Sequence, residues 1–482
     1  VASAGALGAM IDNLKTREID IFASAYFTTR PFAHGHEREA TDQPVYAKRK
    51  NQIKNKFEIT RSFDLIYQLF LVFDLPGIRS FVNDAAVAIT PDNVAQGKCA
   101  HYTNGVTAAL VNEVALCMGG HALTSLTGEQ IFLYEELSGR PGKRLLDSVG
   151  KSVSTLDLVK KSTRATRYYL PLYFFFCSTR GSVSSALNLI GAQFQKATVD
   201  MSLNSLASVI ENGDSGDSAF ISSSADAGSQ VRIVDAISTD TMTAPVRASD
   251  GDVATTSTTS LISQDNAARV TLDVLGITLN EEDRNTFSTK DRMALMDEVT
   301  VIDRSGTQAL KGASETISIT DHAKNLIYEL QIAARIKEAT IRQDSQGKNS
   351  ITVPTGPMRF DGRVDENTGE TYDPLSTLSL TISGQARTQA NLESAFYNQV
   401  TPYMHHSTLP SSKGIYSLPF SLYPEDWNVP DSYANASKLD SMRLTVTLPK
   451  AVQSTAGVDL FIFCHTFNVL VEQKGMKARF FV

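Results

Sequence analysis

The sequence LIYQLFLVFDL, residues 65–75, decides the fold. It is rich in aromatic and branched apolar side chains, it is too short to cross a membrane, and Pro76-Gly77 closes it. These properties predict a buried β-strand. Successive side chains of a strand point to opposite faces, and here both alternating sets are largely apolar. The strand therefore needs a covering layer on each side.

The same stretch is echoed far downstream as LIYELQIA, residues 326–333. Two further echoes follow in the same order. The segment ending Met118-Gly119-Gly120 corresponds to one ending Ile382-Ser383-Gly384, and residues 168–172 correspond to 416–420. Three collinear matches predict that one β-domain occurs twice in the chain.

Composition and charge limit the classes of function that the chain can have. The 482 residues have room for two domains of about 200 to 250 residues, and 42% hydrophobic with 20% charged residues describe a folded, soluble protein. A net charge of -7 argues against wrapping nucleic acid. The longest apolar run, residues 170–177, is too short for a bilayer, and no charged-then-apolar secretion signal opens the chain. We expect folding in a cytosol-like space.

The four cysteines, Cys99, Cys117, Cys177 and Cys464, are far apart and form no Cys-x-x-Cys pair. A zinc site or a disulfide framework usually needs such close spacing. We therefore expect buried free thiols.

The repeat sets the domain organisation: a short N-terminal arm over residues 1–17, a first domain over 18–280, a charged linker over 281–291 and a second domain over 292–482. The arm either docks on a partner or is a frayed end. Within the first domain, an insertion at about 211–265 is rich in Ser, Thr, Asp, Gly and Ala, which predicts a solvated surface tower with one strand at 231–237.

Each domain shows eight strand-like segments, so the fold class is all-β: two tandem eight-stranded antiparallel β-sandwiches, with the jelly roll as leading topology. The segments are 19–28, 51–60, 65–75, 110–119, 128–137, 167–177, 194–203 and 270–279 in the first domain, and 295–302, 315–320, 326–333, 378–384, 396–403, 415–424, 442–449 and 460–471 in the second.

The chain lacks the Gly-rich phosphate loop and the Gly-x-Ser-x-Gly elbow, since Gly142-Lys143 has neither the upstream glycine nor the following hydroxyl. His34-Gly35-His36 with Glu37 and Glu39 resembles a cupin-type iron or manganese set. The leading glycine is absent, Glu39 follows too closely and no partner histidine is identifiable. A polar loop is the preferred interpretation.

Other polar clusters favour structural roles. His405-His406 are expected to hydrogen-bond in a turn, and Glu135-Glu136 and Glu281-Glu282 form no acid/base pair. Lys48-Arg49-Lys50 with Lys54 and Lys56 predicts a solvated face or a contact with an acidic neighbour or anionic membrane. Asn435-Ala436-Ser437 fits the glycosylation acceptor pattern, a weak match without a secretion signal. No catalytic, cofactor-binding or metal-binding residue is predicted.

One region carries a family resemblance. Residues 399–440 closely resemble the signature of the major capsid proteins of nucleocytoplasmic large DNA viruses, through Val400 to His406, Pro410, residues 414–416, Phe420, Leu422, Pro424-Glu425, Asn435, Ser437 and Asp440. Further matches lie at 63–66, 119–120, 170–176, 193–194, 279–284, 468–470 and 475–476. The chain departs from the family at Phe63, which replaces a glycine, in the spread of Tyr-Ser-Phe over 416–420, at Pro430-Asp431-Ser432 and in the long insertion.

The resemblance implies a double jelly roll that forms homotrimeric, pseudo-hexagonal capsomers in the icosahedral shell of a large dsDNA virus. It implies contacts with neighbouring capsomers, with minor capsid, penton or cement proteins, and possible contact with an internal viral membrane through membrane-associated minor proteins. It implies no enzymatic activity, no cofactor and no direct nucleic acid contact. The chain would reside in the virion and assemble in the host cytoplasm. The alternatives are an assembly scaffold of the same fold and a cupin-like metalloenzyme.

Overall fold

The computed structural model describes residues 32–39, 45–47, 53–78, 89, 99–139, 146–152, 154–177, 185–212, 220–222, 230–232, 243–247, 253–257, 268–289, 291–341, 351–354, 356–360, 363–364, 371–387, 392–450 and 457–480. The predicted arm, the strand predicted at 19–28 and Lys48-Arg49-Lys50 lie outside these residues. Among the described helices, none is long and apolar enough to cross a membrane.

The first half folds into two antiparallel sheets, with strand orders β1-β8-β3-β6 and β2-β7-β4-β5. Successive strands alternate between the two sheets except at the β4–β5 hairpin, which is the connectivity of a jelly roll. The strands are β1 Phe32–Glu39, β2 Ile53–Glu58, β3 Leu65–Leu75, β4 Val111–Met118, β5 His121–Thr127, β6 Thr166–Leu172, β7 Ala197–Leu203 and β8 Ala268–Leu279.

The second half repeats this connectivity, with strand orders β9-β16-β11-β14 and β10-β15-β12-β13. Each strand occupies the position of the strand eight places earlier, so the two halves have the same topology, and the predicted pair of eight-stranded jelly rolls is confirmed. The strands are β9 Arg292–Arg304, β10 Ser314–Ser318, β11 Leu326–Ile336, β12 Thr377–Ile382, β13 Gln385–Ala386, β14 Ile415–Pro419, β15 Met442–Thr447 and β16 Val458–Gln473.

Strand β3 is central to its sheet, between β8 and β6. Alternate side chains from Leu69 onward enter the sandwich core, and a bulge at Tyr67 brings Ile66 to the same face. The core residues are Ile66, Leu69, Leu71, Phe73 and Leu75. Its echo, β11, occupies the same central place between β16 and β14, and almost every residue of β11 is buried. The prediction of a strand that needs cover on both sides holds most fully for this second copy.

Two predicted strands are helical, and three strands of the structure were not predicted. Residues 128–137 form helix α2, and residues 396–403 form a π-helical turn that runs into helix α6. Strand β1 replaces the predicted polar loop around His34, and β5 and β13 complete the two sets of eight. The helices are α1 Val106–Leu110, α2 Gly128–Ser138, α3 Leu146–Val149, α4 Thr155–Ser162, α5 Glu281–Thr289 and α6 Thr401–His405, with the π turn at Phe396–Val400.

The insertion after the first half's seventh strand contains a small antiparallel sheet of its own. Its strands are Phe220–Ser222, Gln230–Arg232, Thr243–Arg247 and Val253–Ser257, and the second covers the start of the strand predicted at 231–237. Other short strands are Val45–Ala47, Ala100–Tyr102, Leu187–Asn188, Ile210–Asn212, Glu338–Ile341, Ile351–Pro354, Arg363–Val364, Thr371–Tyr372, Ala434–Asn435 and Met476–Arg479, and 3-10 turns lie at Leu206–Val209, Gly306–Gln308, Pro424–Asp426 and Ala436–Lys438.

Phe63 packs over two glycines that face each other across β1 and β8. Gly35 pairs with Gly276 in the ladder, and a Cβ on either residue would lie 2.3 or 2.2 Å from a carbon of the Phe63 side chain. Neither position could hold a larger side chain without moving this ring. The large residue at position 63 therefore requires small residues on both strands.

Candidate interaction surfaces

The two jelly rolls meet at helix α2. Ile131, Phe132 and Leu133 belong to the same apolar cluster as Phe461 and Phe463 of β16. The alternate residues of β16 line the core of the second jelly roll, so the two phenylalanines face outward from that sandwich. Helix α2 therefore covers the outer face of the β9-β16-β11-β14 sheet.

A buried ion pair fixes the end of α2. Lys151 Nζ lies 2.9 Å from Glu136 Oε1. Across the boundary, the Ser411 amide and hydroxyl donate to Glu136 Oε2 at 2.7 and 2.6 Å, and Thr408 Oγ1 donates to the Glu136 carbonyl at 2.7 Å. Burial raises the pKa of Glu136, but Lys151 and Ser411 outweigh burial and lower this pKa below its ordinary value. The carboxylate is thus charged and joins both halves.

A second polar contact joins the halves at the end of β16. Asn188 Nδ2 donates to Glu472 Oε1 at 2.5 Å, and Lys477 Nζ lies 3.0 Å from Glu472 Oε2. The Lys477 backbone amide donates to Gln195 Oε1 at 2.7 Å. Burial lowers the pKa of Lys477 although Glu472 opposes this shift. These contacts hold the two jelly rolls in one orientation.

A buried histidine lies at the C-terminal end of α6. His406 Nε2 is 2.7 Å from Glu329 Oε1 of β11 and 2.9 Å from Ser417 Oγ, and Glu425 lies 3.6 Å from Nδ1. Burial disfavours the charged ring, but the two carboxylates outweigh burial and raise the pKa of His406. The expected hydrogen-bonding role is observed for His406, and His405 Nδ1 lies 3.0 Å from the Leu422 carbonyl.

The predicted metal candidates lie on strand β1. His34 and His36 share its outer face, where His34 packs edge-on against Tyr67 and His36 Nε2 lies 3.1 Å from Asp273. Arg38 holds the same carboxylate through both its Nε and Nη2. Glu37 accepts from Thr60 Oγ1, and the Glu39 side chain lies outside the described residues. The described part of the chain contains no group of three or more metal-ligating residues.

The remaining predicted clusters are dispersed. Glu135 accepts from Tyr173 Oη at 3.2 Å, Glu281 and Glu282 lie in the first turn of α5, and Lys54 and Lys56 are exposed on β2, where Lys56 lies 3.5 Å from Asp200. Asn435 Oδ1 accepts from Ser437 Oγ. All four cysteines are buried free thiols.

Helix α6 and the loop that follows β14 expose large apolar side chains. Tyr403 is 74% and Met404 64% exposed. Leu422 and Tyr423 are also exposed, and the hydrogen bond between His405 and the Leu422 carbonyl places them next to the helix. Val400 of the preceding turn is also exposed. We call Val400, Tyr403, Met404, Leu422 and Tyr423 the helical patch. Exposed apolar surface of this kind marks interaction sites.

The outer face of the β1-β8-β3-β6 sheet is a second uncovered surface. Tyr67 and Phe70 of β3 and Tyr169 of β6 are half-buried, and His34 and His36 of β1 are exposed. Phe70 and Tyr169 alternate with core residues, and a bulge after Ile66 places Tyr67 on the same face. His34 and His36 flank Gly35, which lies against Phe63. We call these five residues the sheet patch. Val72 and Asp273 share this face and are buried, whereas these five residues keep exposed surface.

Comparison with protein families accounts for the double fold. A family model described as large eukaryotic DNA virus major capsid protein matches residues 283–478, and one described as major capsid protein N-terminus matches residues 29–246. The chain belongs to the large eukaryotic DNA virus major capsid protein family. The two matches fall on the two jelly rolls in chain order.

Three capsid proteins show the degree of similarity. The major capsid protein of Phaeocystis pouchetii virus is 31% identical over 105 residues, which span 22% of this chain and 20% of that relative. A crystal structure of PBCV-1 VP54 fitted into a reconstruction of the virophage Sputnik is 18% identical, with a TM-score of 0.64 over 95% of this chain and 98% of that one. The Faustovirus major capsid protein is 13% identical, with a TM-score of 0.58 over 93% and 92% of the two chains. These structures share the double jelly-roll fold.

Proposed function

We propose that the chain is the major capsid subunit of a large dsDNA virus, and that it forms homotrimeric, pseudo-hexagonal capsomers of an icosahedral shell. One observation carries the proposal: this chain contains two jelly rolls with identical strand order, and it belongs to this family. Three chains then supply six similar units, so threefold symmetry tiles nearly sixfold positions.

In this role the chain acts through its surfaces and performs no catalysis. Its partners are other copies, neighbouring capsomers, and minor capsid, penton or cement proteins, with an internal membrane contacted through membrane-associated minor proteins. It makes no direct nucleic acid contact, consistent with its negative net charge. It assembles in the host cytoplasm and remains in the virion.

Sedimentation of the purified chain tests the proposal. We expect a species of three times 52.4 kDa, and averaged electron micrographs with a hexagonal outline. A monomer at every concentration would contradict the capsomer. Detection of the chain in purified mature virions separates a capsid subunit from a scaffold that is discarded, and stoichiometric iron, manganese or zinc would favour a metalloenzyme instead.

A further inference from the structure

We propose that the helical patch of one copy covers the sheet patch of the next copy, which repeats between chains the contact that α2 makes within the chain. The inference rests on the proposed trimer and names the surfaces that build it.

The first step is the contact inside the chain. Helix α2 lies between β5 and β6, the fifth and the sixth strands of the first jelly roll. It carries apolar residues on both sides, because one side packs on its own sandwich and the other on the sheet of the second jelly roll. A helix whose buried residues are distributed all round is stable only when it is covered on both sides.

The second step is the equivalent helix of the second jelly roll. Residues 396–405 lie between β13 and β14, the same place in the strand order. One side is fixed to its own jelly roll, where Asn398 Nδ2 donates to the Ser412 and Ile415 carbonyls and Tyr397 is buried. The opposite side carries the exposed helical patch. This helix therefore resembles α2 with its second cover missing.

The third step is the equivalent sheet. Tyr67 and Phe70 of β3 occupy the positions of Tyr328 and Gln331 in the β11 echo. Tyr328 and Gln331 are each only 2% exposed, whereas Tyr67 and Phe70 remain half-buried. On the second jelly roll, helix α2 packs over Phe461 and Phe463 of this face, and Trp427 and Tyr433 pack around Tyr328. On the first jelly roll the equivalent face keeps exposed surface.

The fourth step is symmetry. The uncovered helix and the uncovered sheet are different surfaces of one chain, so their contact between copies is heterologous and leads from each copy to the next. Each helix-on-sheet contact between chains repeats the contact within a chain. Three copies then make six equivalent contacts, and the ring closes with both patches covered.

Charge-introducing variants test this pairing. Met404→Glu disrupts the helical patch and Phe70→Glu the sheet patch, because each buries a carboxylate in the proposed contact. We expect each variant to sediment as a monomer, while the control Met293→Glu, at an exposed apolar residue of β9 outside both patches, remains trimeric.

Mixing the two variants in equal amounts adds a test that misfolding cannot imitate. The Phe70→Glu chain keeps an intact helical patch and the Met404→Glu chain an intact sheet patch, so we expect a species of two chains, one of each kind, and no closed trimer. Trimers of either single variant, or no association in the mixture, would overturn the pairing. A wild-type chain that is monomeric would instead contradict the proposed capsomer.

Discussion

His406 Nε2 lies 2.7 Å from Glu329 Oε1, although the two residues are far apart in the sequence. The His406 side chain is 0% and the Glu329 side chain 2% exposed. Ser417 Oγ and Gln331 Nε2 donate to the same carboxylate at 2.7 and 2.9 Å. The pair fastens the end of α6, and thus the helical patch, to strand β11.

The His406–Glu329 pair makes stability depend on pH. Burial lowers the pKa of His406, but Glu329 and Glu425 outweigh it and raise this pKa to about 9. Because the folded chain binds the proton more tightly than the unfolded chain, whose value is about 6.5, the contribution is complete below pH 6.5 and is lost as pH rises through 9. We expect the unfolding temperature to fall across this window.

The matched variant is His406→Ala, which should cost about 3–5 kcal/mol near neutral pH because it leaves Glu329 buried without its partner. Its unfolding temperature should fall less between pH 6.5 and 9 than that of the wild type. His465, whose pKa is also raised, by Asp297 against the effect of burial, is present in both proteins. Parallel pH curves for the two proteins would show that the pair does not titrate as described.

Glu136→Gln should weaken the junction of the two jelly rolls. The change leaves Lys151 buried without a countercharge, which we expect to cost about 3 kcal/mol. The control is Asp147→Asn, which breaks the exposed pair between Asp147 and Lys161 and should cost less than about 1 kcal/mol. Calorimetry of both variants measures the difference, and equal losses would contradict a special role for the buried pair.

Gly276→Ala should destabilise the first jelly roll by about 1–3 kcal/mol, because the added methyl group meets the Phe63 ring. Adding Phe63→Ala should restore part of this loss, so that the double variant is more stable than the sum of the single losses predicts. Denaturant unfolding of the four proteins gives the coupling energy. Additive losses would show that the ring is not the obstacle.

The thiols should resist modification in the folded chain. All four cysteines are buried, and burial raises the pKa of Cys177 and of Cys464 to about 12. Since the thiolate is the reactive form, we expect no fast reaction with a disulfide reagent at pH 8 and four equivalents in denaturant. A fast-reacting thiol in the native protein would contradict the burial of at least one cysteine.

The sequence was sufficient to predict the repeated sandwich. The sequences of β3 and β11 are similar because each strand occupies the same central position in its sheet. The residues of α2 predict a strand because the polar side chains of this helix, which is covered on both sides, do not share one face. Its N-cap was nevertheless recognisable: Thr127, three residues before Gln130, fits a capping box, and Thr127 Oγ1 accepts from the Gln130 amide.

The helical patch had a signal of its own. Phe396, Val400, Tyr403 and Met404 stand at helical spacing, but the aromatic content favoured a strand. The polar loop predicted at His34-Gly35-His36 is wrong for a different reason. Polar side chains on the exposed outer face of β1 obscured its alternation, and only the pairing with β8 defines the strand.

Helix α5 leads from β8 directly to β9, so the two jelly rolls are tethered by a short connection. Linked partners meet at high effective concentration. A six-unit ring made from three such chains needs two encounters between molecules, whereas six separate units would need five. Translation of a single message also supplies both kinds of unit in strictly equal number.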